Sequence, residues 1–283
     1  AQAMVCRALE QAFPDDPIVG EEDAAALRSG EHAPFARQVV EAINTAGAPF
    51  ELPAVGEEHA FAWIDRGGAA GGGDRFWTVD PIDGTKGFLR GGQYAVAVAL
   101  IEGGVPTVGV LACPNLPLGD GTGALFAAEA GSAATVRALA PDATPTVIRT
   151  SETADPATAR LCESVEAAHT AHGAAAEIAA RLGLTADPLR LDSQAKYAEV
   201  ARGGADIYLR LPTRPGYIER IWDHAAGVAV IEAAGGRVTD VAGAPLEFGH
   251  GRGLERNRGA IATNGPLHEA VLAATSAVLN ASN

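Results

Sequence analysis

At 283 residues, with 47% apolar but only 5% aromatic side chains, the chain can build one large domain or two moderate ones around an Ala-, Val-, Leu- and Ile-filled core. A net charge of −14 argues against general nucleic-acid binding, and no apolar run reaches the ~18 residues of a membrane span. Three scattered cysteines, Cys6, Cys113 and Cys162, lack zinc-ligand spacing and fit free thiols in a reducing, cytoplasmic setting, with an organelle such as a plastid or mitochondrion left open.

Residues 2–13 read as a helix, with Val5, Leu9 and Phe13 at i, i+4 and i+8. No capping residue precedes it, so the sequence reads as opening inside an element, and Ala1-Gln2-Ala3-Met4 has no basic flank of a secretory signal. Ile18-Val19-Gly20 reads as a short strand running into Glu21-Glu22-Asp23, residues 33–47 as a helix and Gly67–Gly73 as a loop. Strands are predicted over Phe76–Val79, Ala95–Glu102, Val105–Ala112 and Leu125–Ala130, with a hairpin turn at Gly103-Gly104. Pro141–Pro145 reads as a linker, dividing the chain into an α+β part, 1–145, and a part, 146–283, in which strands and helices alternate. Its predicted strands are Val147–Thr150, Leu189–Leu191, Ala205–Leu211, Arg237–Thr239 and Ala260–Thr263; its helices are 172–182, 193–202, 223–234 and 266–279. The fold class is therefore α/β in the broad sense, α+β first and α/β second.

The most informative segment is Trp77-Thr-Val-Asp-Pro-Ile-Asp-Gly-Thr-Lys-Gly-Phe88. Asp80 and Asp83 flank a Pro81 bend and are followed by a Gly84-Thr85 turn, so two carboxylates and a hydroxyl address one small volume. Hard divalent cations take oxygen ligands packed in this way, and backbone N–H groups in such a turn can meet a phosphate. An Asp-rich turn with no ligand has the same residue types, because Asp, Pro and Gly are favoured in turns for conformational reasons. Glu21, after a short strand, could join such a site, although Gly-Glu-Glu recurs at Gly56–Glu58. Asp223 stands where a helix should begin, a position that caps or, facing a cleft, ligates. Ser193 and Lys196 share a helix start that suits an anion or simply caps and faces solvent, and Arg210 ends a strand where a bidentate phosphate contact is possible. His169 and His172 form a His-x-x-His pair that fits a polar pocket, a metal or a bare surface. Lys86 and Lys196 are the only lysines among 21 basic residues, and both fall in these segments, where a compact ammonium differs from a guanidinium fork.

These strings resemble the lithium-sensitive, magnesium-dependent phosphatases related to inositol monophosphatase and fructose-1,6-bisphosphatase, and within that superfamily the 3'(2'),5'-bisphosphate nucleotidases. The resemblance is carried by Val19–Glu22, Asp80–Phe88, Leu191–Tyr197, Ile221–Gly227 with Glu232–Gly236, Phe248-Gly249 and Asn257–Asn264, almost the whole chain. Lys86-Gly87-Phe88 after Gly-Thr is the nucleotidase form. The resemblance implies an αβαβα sandwich and a phosphomonoesterase that removes the 3'-phosphate of adenosine 3',5'-bisphosphate, or of its sulfated form. It implies two or three Mg²⁺ on Glu21, Asp80, Asp83, Asp223 and the Ile82 carbonyl. Thr85 would orient the attacking water, Gly84 and Thr85 amides would hold the scissile phosphate, and His169, Ser193, Lys196 and Arg210 would hold the rest of the nucleotide. A monomer binding a small phosphorylated nucleotide is expected, with no nucleic-acid or membrane partner. In the family a Thr-Val-x-Asp segment, whose Asp serves as general base with the threonine matching Thr85, precedes the residues matching Ala1–Ala3. Two N-terminal helices and that Asp are thus expected to be missing here. An inositol phosphate as substrate, or a catalytically impaired phosphonucleotide binder, are the alternatives.

Overall fold

The computed structural model describes residues 1–29, 33–165, 172–212, 214 and 216–281. It begins with helix α1 (Gln2–Ala12), strand β1 (Ile18–Gly20) and helices α2 (Ala25–Arg28), α3 (Ala33–Gly47) and α4 (Glu57–Asp65). Strand β2 (Arg75–Asp83) and the short helix α5 (Thr85–Leu89) lead to β3 (Ala95–Glu102), β4 (Val105–Leu118), β5 (Gly121–Glu129), β6 (Thr135–Ala138) and β7 (Thr146–Val147). Then come β8 (Leu161–Glu163), α6 (His172–Leu182), β9 (Leu189–Arg190), α7 (Ala195–Ala201), β10 (Ile207–Arg210) and α8 (Ala225–Ala233), and finally β11 (Arg237–Thr239), β12 (Ala260–Thr263) and α9 (His268–Ala281). Among the described residues β1 to β7 form one sheet in sequence order, with β1 parallel to β2 and the rest antiparallel. The second sheet has the order β11-β12-β10-β8-β9.

The two-residue period of the strands sorts side chains into layers. Trp77, Val79 and Leu100 face one way, onto Cys6, Val5 and Leu9 of α1. Phe76, Ala95, Ala97, Ala99 and Ile101 face the other way, into a core shared with Tyr197 of α7 and Val230 and Ile231 of α8. Small residues on this face let α8 approach closely: a Cβ at Gly109 of β4 would lie 2.6 Å from the Ala229 Cβ. The second sheet presents Tyr208, Ala260 and Ala262 to the same central helices, and Ile207, Leu209 and Ile261 to Ile178 of α6 and Val271 of α9. The layer order is therefore αβαβα, as the family resemblance implied.

Several boundaries differ from the sequence reading. The strand expected over Phe76–Val79 runs on to Asp83, across Pro81. Asp80 pairs with Ala97 and Asp83 with Ala95, so three steps on β2 match two on β3, and this bulge accommodates a residue with no N–H to donate. Helix α7 begins at Ala195 rather than 193, because Ser193 is left-handed at φ +66°. The helix expected from 223 is a 3-10 turn, Ile221–Asp223, followed by α8. Strands β6 and β8 and helix α4 were not predicted. No helix among the described residues is long and apolar enough to cross a membrane.

Candidate active site

The parallel pairing of β1 with β2 aligns their C-terminal ends, which delivers Glu21 beside Asp80, Ile82 and Asp83. The Glu21 N–H donates to the Val79 carbonyl at 3.2 Å and holds the two ends together. Alternation along β2 turns Asp80 toward the central helices, on the side of Phe76. Gly84 and Thr85 open α5 at once. From the second half of the chain, the turn before α7 contributes Ser193 and Lys196, the end of β10 contributes Arg210, and the 3-10 turn contributes Asp223. Each of these ten residues lines one cavity of about 560 Å³. His169, expected at the nucleotide, lies outside the described residues.

Asp80, Asp83 and Asp223 each offer a carboxylate oxygen, and these oxygens lie within 4.8 Å of one another. Burial, followed by the charges of Asp83, Glu21 and Asp223, pushes Asp80 up to about 11. Burial, with Asp83 as the strongest repelling charge, raises Asp223 to about 8 against the opposing pull of Arg210. Burial raises Glu21 as well. The protein thus holds a crowd of carboxylates at an energetic cost that a cation would remove. The donors are all oxygen, which suits a hard divalent ion rather than zinc or copper.

The backbone around these ligands is tightly specified. Asp80 Oδ1 accepts the Ile82 N–H at 3.1 Å, and the Thr85 hydroxyl donates to the Ile82 carbonyl at 3.2 Å. Gly84 sits at φ +81°, where a Cβ would also come within 2.9 Å of the Ser193 Cβ. The turn before α7 is therefore packed directly on the Asp-Gly-Thr turn, and the Gln194 N–H donates to Asp83 Oδ2.

Lys196 and Arg210 line the cavity in a manner that spacing does not reveal. Lys196 is buried instead of standing on an exposed helical face; its Nζ donates to the Ser193 and Leu191 carbonyls at 2.8 and 3.3 Å and lies 5.2 Å over the Tyr208 ring. Burial lowers its pKa, and the Asp83 charge resists that shift. The Ser193 hydroxyl accepts the Ala195 N–H at 3.2 Å. Arg210 donates from Nε and Nη2 to Glu219. Burial alone would raise the Glu219 carboxyl, but His224 and Arg210 outweigh it and bring it down to about 2.

Three further residues shape the site without having been singled out. The Gln194 side chain donates to the Trp222 carbonyl at 2.9 Å and accepts the Gly227 N–H at 3.1 Å, joining α8 to the turn that carries Asp223. Gln2 donates to the Glu22 and Ile64 carbonyls at 2.6 and 2.8 Å and accepts the Glu22 N–H at 3.1 Å. Arg252 donates to the Gly20 and Ala69 carbonyls at 2.5 and 3.0 Å and stacks 4.8 Å over Trp222. A glutamine or arginine carries no local signal of such a role, because the partners are distant backbone groups.

Residues 1–280 match the inositol monophosphatase family. The chain belongs to that family. Relatives named 3'(2'),5'-bisphosphate nucleotidase include one from Schizosaccharomyces pombe, 44% identical over 291 residues, covering 98% of this chain and 82% of its own length. Another, from Oryza sativa, is 42% identical over 281 residues and covers 94% of this chain and 78% of its own. In three dimensions the chain is similar to the Thermotoga maritima IMPase, with a TM-score of 0.64 at 23% identity, covering 100% of this chain and 82% of that one. An inositol monophosphatase from Anabaena gives 0.60 at 23% identity, covering 96% and 82%. Members of the inositol monophosphatase family are generally metal-dependent, and the acidic cluster of this chain accords with that.

Proposed function

We propose that this protein is a magnesium-dependent phosphomonoesterase that removes the 3'-phosphate from adenosine 3',5'-bisphosphate. The observation that carries the reading is one cavity in which an acidic oxygen cluster, Asp80, Asp83 and Asp223, adjoins the cations Lys86, Lys196 and Arg210. Such a cavity suits a substrate with one phosphate to be attacked and a second to be anchored, and the nucleotidase names of the relatives support that choice.

In this reading Glu21, Asp80, Asp83, Asp223 and the Ile82 carbonyl hold two or three Mg²⁺. Bound there, the ions would supply positive charge to the phosphoryl oxygens and make the attacking water more acidic. The rest of the work falls to the chain. The Thr85 hydroxyl, fixed on the Ile82 carbonyl, orients the water on its free lone pair. Amides of Gly84 and Thr85 bind the scissile phosphate as charge builds on its oxygens. Ser193, Lys196 and Arg210, with His169, anchor the other phosphate and the nucleoside. The division at 145/146 belongs to the same proposal, with metal ligands mostly in the first part and phosphate anchors in the second, although β7, just past it, still pairs with β6 of the first sheet. Three buried, unpaired cysteines support a reducing compartment such as the cytoplasm.

The test is phosphate release from adenosine 3',5'-bisphosphate with and without Mg²⁺, beside inositol 1-phosphate. Faster kcat/KM on the inositol ester would remove the nucleotide assignment, and release that persists in chelator would remove the metal mechanism.

A further inference from the structure

Two carboxylates compete for Arg210. Its Nε lies 3.0 and 3.2 Å from the Glu219 oxygens and its Nη2 lies 3.0 Å from Glu219 Oε2. The same Nη2 is 4.0 Å from Asp223 Oδ2. All three side chains are withdrawn from water, at 15% exposure for Arg210, 6% for Glu219 and 24% for Asp223. Salt and solvent screen such pairs weakly, so a small rotation of the guanidinium suffices to exchange one partner for the other. Glu219 wins because it meets the fork with both oxygens, the geometry that a guanidinium pairs with best. Glu219 is itself held from behind: His224 Nε2 stands 3.5 Å from Oε2, and His224 Nδ1 lies 2.7 Å from the Tyr197 hydroxyl, within the buried core.

We propose that Glu219 is a positioning residue that keeps Arg210 off Asp223, so that the Asp223 oxygens stay available to a divalent cation. The inference rests on the metal-site reading above. Without the Glu219 charge, Arg210 closes the remaining gap to Asp223 and neutralises a ligand by acting as a built-in substitute for the ion. Arg210 then also loses the orientation in which it faces the cavity. The network from Tyr197 through His224 to Glu219 is what makes this guard rigid.

The experiment is calorimetric titration of Mg²⁺ into substrate-free protein, for wild type, Glu219→Gln, Arg210→Met and the double variant, with metal-free thermal unfolding of each. Glu219→Gln is expected to bind Mg²⁺ at least about tenfold more weakly, the size of a partly buried charge contact. Adding Arg210→Met is expected to restore most of that loss, because the competitor is gone. A purely structural role for Glu219 predicts lower thermal stability with no such rescue, and that result would overturn the inference. Equal Mg²⁺ affinity in Glu219→Gln and wild type would overturn it too. If Glu219→Gln does not fold, Glu219→Asp, one methylene shorter, is expected to bind more weakly than wild type, and undiminished affinity there would count against the guard. Wild type that binds no Mg²⁺ would instead remove the metal-site reading on which the inference stands.

Discussion

Replacing Gln194 by Leu tests how the two halves of the site are joined. Gln194 is only 2% exposed, and both ends of its amide are used, toward the Trp222 carbonyl and the Gly227 N–H. Gly227 lies in the first turn of α8, where a backbone N–H has no partner within the helix. Leucine nearly preserves volume, so little cavity forms, but one buried carbonyl and one buried N–H lose their partners. Each such loss costs about 1–3 kcal/mol; with some relaxation, about 2–4 kcal/mol is expected in total. For a chain of this length that is a fall in Tm of about 4–8 °C. Trp222 immediately precedes Asp223, and the Gln194 backbone N–H holds Asp83, so the rise in Tm produced by saturating Mg²⁺ should also shrink. Calorimetry and urea unfolding, each with and without Mg²⁺, measure both effects. A loss below about 1 kcal/mol, with the magnesium effect intact, would refute the claim that this amide braces the site.

Other substitutions probe separate parts of the argument. Asp80→Asn removes a carboxyl pushed up to about 11 by burial and by its acidic neighbours, so the metal-free variant should exceed wild type in stability by at least about 1 kcal/mol at pH 8. Its Tm should no longer respond to Mg²⁺; a response like that of wild type would take Asp80 out of the ligand set. Gly87→Ala would set a Cβ 2.2 Å from the Gln93 carbonyl oxygen and 2.7 Å from Asp192 Oδ2, and should destabilise by about 1–3 kcal/mol in urea. Unchanged unfolding there would mean that the loop yields freely.

Acid should loosen the attachment of α9. His268 is buried between the Thr239 and Thr263 hydroxyls, each at 3.0 Å, and burial, then the Arg237 charge, lower its pKa to about 4. The unfolded chain takes up a proton near pH 6.5 that the folded state refuses until about 4. Its contribution is therefore complete above 6.5 and declines as pH falls toward 4, by at most about 1.4 kcal/mol per pH unit. Urea midpoints across this range, compared with His268→Gln, isolate the effect; parallel profiles for the two proteins would rule it out.

Much of the architecture is legible in sequence because its signals are local. Helices over 33–47 and 172–182 and strands over 95–102, 237–239 and 260–263 stand where their apolar period and bounding turn residues put them. Helix α4 was missed because it opens on Glu57-Glu58-His59 and owes its place to Ala60, Phe61 and Ile64 packing on neighbouring helices. Strand β4 runs past the expected end at Ala112 to Leu118, through Pro114 and Pro117; a register shift between Cys113 and Pro117 absorbs them. The left-handed Ser193 was hidden as well, since its conformation depends on contact with Gly84 across the fold.

The sequence by itself determined which oxygen-bearing residues stand at the ends of strands and in turns, since Pro, Gly and Asp act on the few dihedrals around them. It also determined the broad class, α+β then α/β, through the change from strand-rich to alternating pattern, whereas the αβαβα layering was implied by the family resemblance. Only tertiary structure decided that Gln194 meets Asp83 from 111 residues away, that Lys196 turns inward and that Arg210 is committed to Glu219. Those outcomes are distances between elements, set by the close packing of two sheets on α7 and α8, and neighbouring residues in the chain do not encode them.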